Sequence, residues 1–248
     1  MSVHLEGRMS VQAAIDAGRR SFESILVRDD ADERLNEVLA AARKKKIPVR
    51  RVSESELDEV AHGKTHGGLI ALCSERTPDP EPALDAILDR EKAPFLLLIE
   101  GVEDPRNFGF TLRTAEALGI HAVILKKHAW DFDETALCRA SSGAFERMCV
   151  VRTGREDGLL ERLKKRGLAV WACVPNVMGT PYDADLRGPL VLAVGGEKRG
   201  LSGAVRSQCT GFMRIPMKAG ATSLSMDHAA AIVMAEAARQ RRSESVGE

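Results

Sequence analysis

Aromatic side chains are scarce in this chain: Phe, Trp and Tyr make up 4% of 248 residues, with a single tyrosine. A broad sheet-borne platform for stacking bases is thereby excluded. Cysteine is sparse as well. Cys73, Cys138, Cys149, Cys173 and Cys209 are scattered, and none forms a C-x-x-C pair. Neither a zinc knuckle nor a disulfide framework is expected, and the five read as reduced, mostly buried thiols. No apolar run approaches the roughly 20 residues that span a bilayer. The opening MSVHLEGRMS lacks the basic start and apolar core of a signal peptide. A cytoplasmic protein with no membrane or metal partner is expected. An excess of one charge is missing too, since 36 basic residues face 36 acidic ones. That removes the overall basic balance of many nucleic-acid binders, but charge is segregated locally. Arg19 and Arg20, the run 43–46, Arg50 and Arg51, the run 164–166 and the run 239–242 are basic clusters. Each taken singly reads first as a solvated helix face or a helix C-terminus.

What is present is periodic. VQAAIDAG has helical spacing and stops at Gly18, SILVRD is strand-like, and Leu35, Val38, Leu39 and Ala42 keep helical spacing up to Pro48. PVRRVS alternates like a strand, Ser53 and Glu56 form a capping-box pattern, and GGLIALC is a short buried strand. This predicts a small α/β domain over residues 1–76. Four of the ten prolines, Pro78, Pro80, Pro82 and Pro94, fall within residues 77–94 and mark a linker over 77–93, with ALDAILDR as a short helix inside it. Over 94–248 the runs FLLLIEGV, HAVILKK, MCVVR, LAVWACV, LVLAVG and FMRIPM alternate with helical segments. Continuous apolar strands separated by helices predict a parallel sheet covered on both faces. Ligands of such sheets bind beyond the strand C-termini, which directs attention to the loops there.

Three loops stand out. EGVEDPRNFG precedes a helix carrying Arg113, with Asn107 as a candidate cap. The second, Gly195-Gly-Glu-Lys-Arg-Gly200, has the glycine spacing of a phosphate-binding loop, but Leu201 occupies the position of its required lysine. The dinucleotide fingerprint G-x-G-x-x-G is absent too. The third, Lys218 to His228, leads into an alanine-rich helix that Ser225 or Asp227 could cap. Small and polar residues at three strand ends suggest one composite site.

At these loops the sequence resembles the SpoU (TrmH-like) family of RNA ribose 2′-O-methyltransferases. DPRNFGFTLRTAEALGI, LVLAVGGEKRGLS and IPMKAGATSLSMDHAAAI resemble its three motifs, in order, and residues 1–76 resemble its L30e-like substrate-binding domain. The resemblance covers nearly the whole chain and is closest to the branch that modifies 23S ribosomal RNA. It implies a C-terminal methyltransferase domain with a trefoil knot, S-adenosylmethionine as cofactor, RNA as substrate and a homodimer. By motif position, Arg113, Asn107, Glu197 and Ser223 would be catalytic. Gly195, Gly196, Gly200, Ile215, Met217, Leu224 and Ser225 would hold the cofactor. The third motif departs from the family's usual Ser-Leu-Asn, reading Ser223-Leu224-Ser225 with Asp227 and His228 beyond. Two readings stand beside this one: a non-catalytic RNA-binding relative, supported only by that departure, and the same enzyme acting on tRNA.

Overall fold

Each strand–helix alternation in the sequence appears in the computed structural model, which describes residues 2–30, 33–62, 66–126 and 132–242. The chain divides into two units, one of Met1–Thr77 with Asp133–Arg147 and one of Pro78–Phe132 with Met148–Glu248.

In the first unit β1 (Ser2–Glu6), α1 (Arg8–Ala17), β2 (Phe22–Arg28), α2 (Asn36–Lys44), β3 (Val49–Val52), α3 (Glu54–Val60) and β4 (Leu69–Ser74) follow in order. The sheet order is β1-β4-β2-β3, parallel between β2 and β3 and antiparallel elsewhere. Two local signals explain helix limits. Gly18, at φ 64°, ends α1 in the left-handed conformation that glycine adopts without penalty. Ser53 and Glu56 close a reciprocal capping box at the start of α3.

The second unit begins with α4 (Pro82–Arg90), then β5 (Phe95–Glu100), α5 (Pro105–Ala117) and β6 (Ala122–Lys126). After α6 (Glu134–Ser141) and α7 (Ala144–Arg147), which belong to the first unit, it resumes with β7 (Cys149–Thr153), α8 (Glu156–Lys165) and β8 (Ala169–Cys173). It continues with β9 (Leu190–Gly195), α9 (Gly203–Gln208), β10 (Gly211–Met213) and α10 (Met226–Arg242). The sheet order is β10-β8-β9-β5-β6-β7, and every pairing is parallel. All six residues of the central β5, Phe95 to Glu100, are buried, as expected of a strand covered on both faces.

The division departs from the sequence boundaries in two places. The proline-rich stretch is structured: Leu84 and Ile87 of α4 lie in the core of the second unit. Asp79 also exchanges bonds with β7, its N–H donating to the Val150 carbonyl (2.9 Å) and its carboxylate accepting from the Val150 N–H (2.9 Å). The second departure is the segment Asp133–Arg147, expected in the C-terminal domain but packed in the first unit. There the Arg20 side chain is fully buried. It donates to Glu134 Oε2 (2.7 Å), to Glu146 Oε1 (2.7 Å) and to the Ser74 carbonyl (2.8 Å). Burial opposes the charge of Arg20, but the hydrogen bond to Glu146 and the nearby carboxylates outweigh it and raise its pKa. Burial raises the pKa of Glu134 even against Arg20, and it pushes the Cys138 thiol well above its usual value. Gly143, at φ 88°, lets α7 approach α1, because a Cβ there would lie 2.7 Å from that of Ala13.

Replacing Arg20 with Met should strand two buried carboxylates and cost the first unit about 3–5 kcal/mol in urea denaturation. A carboxylate whose pKa is raised by folding destabilises above its unfolded-state pKa, and the penalty fades as pH falls through the raised value. The deficit of Arg20→Met should therefore shrink on acidification, and adding Glu134→Gln and Glu146→Leu should recover most of it at neutral pH. A deficit independent of pH would contradict the charge argument.

Candidate active site

Because all six strands of the second unit run in parallel, their C-terminal ends share one edge, where the loops after β5, β8, β9 and β10 gather. Glu100, the last residue of β5, organises them. Its carboxylate accepts from the Ser202 N–H (2.7 Å) and from Lys126 Nζ (3.0 Å), and its carbonyl accepts from the Gly196 N–H (2.6 Å). Burial favours the neutral acid, yet these donors outweigh it and hold the Glu100 carboxyl below the usual carboxylate range. Glycine is obligatory at this crossing. A Cβ on Gly196 would lie 2.1 Å from the Gly101 carbonyl oxygen, and one on Gly195 would lie 2.3 Å from the Gly200 carbonyl carbon. The loop closes on itself through the Gly200 N–H and the Gly196 carbonyl (2.9 Å).

Two cavities adjoin at Gly196. The larger, about 710 Å³, is walled by the loops after β8, β9 and β10. Gly195, Gly196, Gly200, Ile215, Met217 and Leu224 all line it, as does Ser223. Val174 and Leu201 add apolar wall, and Arg199, Arg206, Arg214 and Lys218 bring positive charge. The smaller, about 250 Å³, is lined by Gly101 to Asp104, Asn107, Gly196, Glu197, Lys198 and Met226. Two carboxylates there are committed. Glu103 pairs with Lys198 (2.5 Å), and Asp104 accepts from the Arg106 N–H (2.7 Å) as the N-cap of α5. Asp104 thus performs the capping expected of Asn107, which lies inside the helix because Pro105 starts it. Glu197 has no partner among the described residues.

Two expected site residues lie elsewhere. Arg113 lines neither cavity and is exposed on α5. Ser225 lines neither cavity; its hydroxyl contacts Asp227 Oδ1 (2.5 Å) and His228 Nδ1 (2.5 Å) just before α10. His228 also lines neither cavity, and its side chain is 74% exposed. The wall after β8, including Asn176 at φ 61°, was not among the three loops read from sequence. The rule that sites lie beyond strand ends could have found it, since Val174-Pro-Asn176 directly follows β8. Among the described residues no His, Cys, Asp and Glu group could hold a metal ion, and no helix is long and apolar enough to cross a membrane.

A parallel sheet with a glycine-pinched loop at its edge, a large cavity there and an adjoining acidic pocket define an α/β protein with a ligand site beyond its strand C-termini. A model of the SpoU rRNA methylase family matches residues 94–235, and a model of RNA 2′-O ribose methyltransferase substrate-binding domains matches residues 4–78. The chain belongs to the SpoU rRNA methylase family and is an RNA ribose 2′-O-methyltransferase. It is 30% identical over 242 residues to the 23S rRNA (guanosine-2′-O-)-methyltransferase RlmB of Pectobacterium atrosepticum, covering 97% of this chain and 99% of that one. It is 35% identical over 211 residues to the RlmB of Pseudomonas aeruginosa, covering 85% of each chain. Among solved structures, the SpoU methyltransferase AviRb from Streptomyces viridochromogenes in complex with AdoMet matches with a TM-score of 0.79 and 25% identity, covering 98% of this chain and 91% of that one.

The glycine contacts generate a paired test. Gly196→Ala should abolish cofactor binding measured by calorimetry, because the methyl group meets backbone that cannot yield. Gly158→Ala, in α8 with nothing within 4 Å of its new Cβ, should leave binding intact and raise stability by about 0.5–1 kcal/mol. Tight cofactor binding by Gly196→Ala would show that the crossing is not needed for the cavity.

Proposed function

We propose that this protein transfers the methyl group of S-adenosylmethionine to the 2′-hydroxyl of a guanosine in 23S ribosomal RNA, acting in the cytoplasm as a homodimer with a knotted methyltransferase unit. The observation that carries this reading is the larger cavity, whose wall unites the second and third motif loops. Its lining suits the cofactor. Val174, Leu201, Ile215 and Leu224 offer apolar surface to a purine, and Arg199, Arg214 and Lys218 offer cations to a carboxylate. Gly195, Gly196 and Gly200 present backbone at close range without side chains, and Met217 and Ser223 complete the pocket. Bound there, the cofactor supplies a methyl group on an activated sulfonium, so no acid is needed for its departure.

The protein must align the ribose oxygen and accept its proton. Glu197 is suited to accept it, because Glu103 and Asp104 are occupied by Lys198 and the helix N-terminus. Asn107 shares that pocket and can orient the hydroxyl. Arg113 is a different kind of group. A guanidinium has only donors and keeps its proton in proteins, so Arg113 serves by stabilising negative charge on phosphate or alkoxide rather than as a base. It sits one helical turn from Phe110 on α5, a residue that is 48% exposed. A second copy docked on this face covers the phenyl ring and carries Arg113 into a site. The departure at Ser225 leaves the cavity wall untouched, which favours an active enzyme over a non-catalytic relative.

Labelled methyl transfer to ribosomal RNA from a strain lacking the enzyme, followed by mapping of the modified nucleotide, tests the reaction. Transfer to tRNA alone would redirect the assignment. Arg113→Ala and Glu197→Gln should each lower the single-turnover rate by roughly 10²- to 10⁴-fold with little change in cofactor affinity. Rates within a few-fold of wild type would remove either residue from the chemistry. Phe110→Glu should yield a monomer by light scattering and lose transfer; a fully active dimer would place the subunit contact elsewhere.

A further inference from the structure

The structure sorts the basic clusters of the sequence into spent and unspent charge. Arg20 is buried against Glu134 and Glu146. Lys165 pairs with Glu161 (2.8 Å) and Arg166 with Asp89 (2.5 Å). Arg239 pairs with Glu236 (2.8 Å), and Arg241 donates to the carbonyls of Arg187 and Gly188. Lys164 stands singly without an ion pair among the described residues, but one stretch of the first unit is unpaired over several consecutive cations. Residues 43–51 hold six cations and no acid in a chain whose net charge is zero. Arg43, Lys44, Lys45, Lys46 and Arg50 are all exposed, and none makes an ion pair among the described residues.

The fold keeps these charges together. Arg43 and Lys44 end α2, Lys45 and Lys46 form its closing turn, and Arg50 follows on β3. β3 is an edge strand, paired only with β2. Two bland explanations each cover part of the strip. Cations in the last turn of a helix favour its dipole, but that effect fades beyond the turn and does not reach Arg50. A charge on an edge strand discourages edge-to-edge pairing, but that accounts for Arg50 alone. Five like charges held within eight residues, none of them in an ion pair and only Arg50 near enough to an acid, Glu56, to feel its charge, repel one another, a cost that a polyanion relieves. With aromatic residues at 4% of the chain, contact through phosphates fits this surface better than stacking on bases.

We propose that the strip of Arg43, Lys44, Lys45, Lys46 and Arg50 is where the first unit grips the sugar–phosphate backbone of its RNA, by charge and shape rather than base identity. The proposal rests on the RNA-methylating function argued above. Neutralised phosphates release counterions, so binding through this strip weakens steeply as salt rises.

The test uses the full-length protein and deproteinised ribosomal RNA. A triple variant, Lys44→Gln with Lys45→Gln and Arg50→Gln, is compared with Lys164→Gln, Lys165→Gln and Arg166→Gln on α8. The strip variant should lose about tenfold or more in affinity, and the slope of log affinity against log salt should fall by about 2–3. KM for RNA should rise while kcat and cofactor affinity hold; the α8 variant should behave as wild type. A charge-conserving variant, K44R with K45R and R50K, should keep the wild-type slope, which separates charge from damage to the fold. Equal slopes for wild type and the strip variant overturn the proposal, as does an equal loss in the α8 variant. Normal binding to free RNA with loss only on intact ribosomal particles overturns it in favour of a protein partner. Strip-dependent binding by a wild-type enzyme that transfers no methyl group leaves the surface standing and removes the proposed reaction instead.

Discussion

Two backbones meet at the ends of β5 and β9 with no room between them for a single methyl group. The Gly196 N–H is bound to the Glu100 carbonyl, and the Cα of Gly196 faces Gly101 so closely that any side chain would overlap an oxygen. Everything else at the site is arranged around this contact. It turns the chain after β9 back toward Glu100, which in turn holds Ser202 and Lys126. Gly196 also lines both cavities, so the larger cavity and the acidic pocket adjoin at this glycine. The parallel sheet makes this possible, because only parallel strands deliver all their C-terminal loops to one edge.

Much of this architecture was legible because it is local. Each apolar run in the second half holds a strand, although of FMRIPM only Phe212 and Met213 are in one, and the capping box at Ser53 and the glycine stop at Gly18 are complete in a few residues. The site loops were legible for the same reason, each being a short string of small residues after a strand. What was not legible depends on partners far along the chain. The helices α6 and α7 carry an ordinary amphipathic pattern that names no core. They join the first unit by packing on β1 and α1, with Leu137 and Phe145 buried, and by Glu134 and Glu146 finding Arg20, 114 and 126 residues away. The cap of α5 was misplaced on Asn107 because Asp and Asn satisfy the same rule, and Pro105 decides between them only once the start of the helix is known.

Ser225 illustrates a different limit. In place of an amide, this chain has a hydroxyl that contacts both Asp227 and His228. An ionised aspartate can only accept, so the serine proton points to it, and the serine oxygen is left to accept from the imidazole. A change that reads as a lost contact is, in three dimensions, a small closed network outside the cavity.

The buried Arg20 of the first unit, with Glu134 and Glu146, also bears on how the protein is made. The ribosome releases a chain from its N-terminus, and a unit built from neighbouring segments can settle as soon as it emerges. This one cannot. Its sheet is finished with Ser74, yet the carboxylates that neutralise Arg20 lie at 134 and 146, after β5 and β6 have been synthesised. Until then a guanidinium destined for a dry interior has no counter-charge. The first unit is therefore complete only after β5 and β6 of the second have been synthesised.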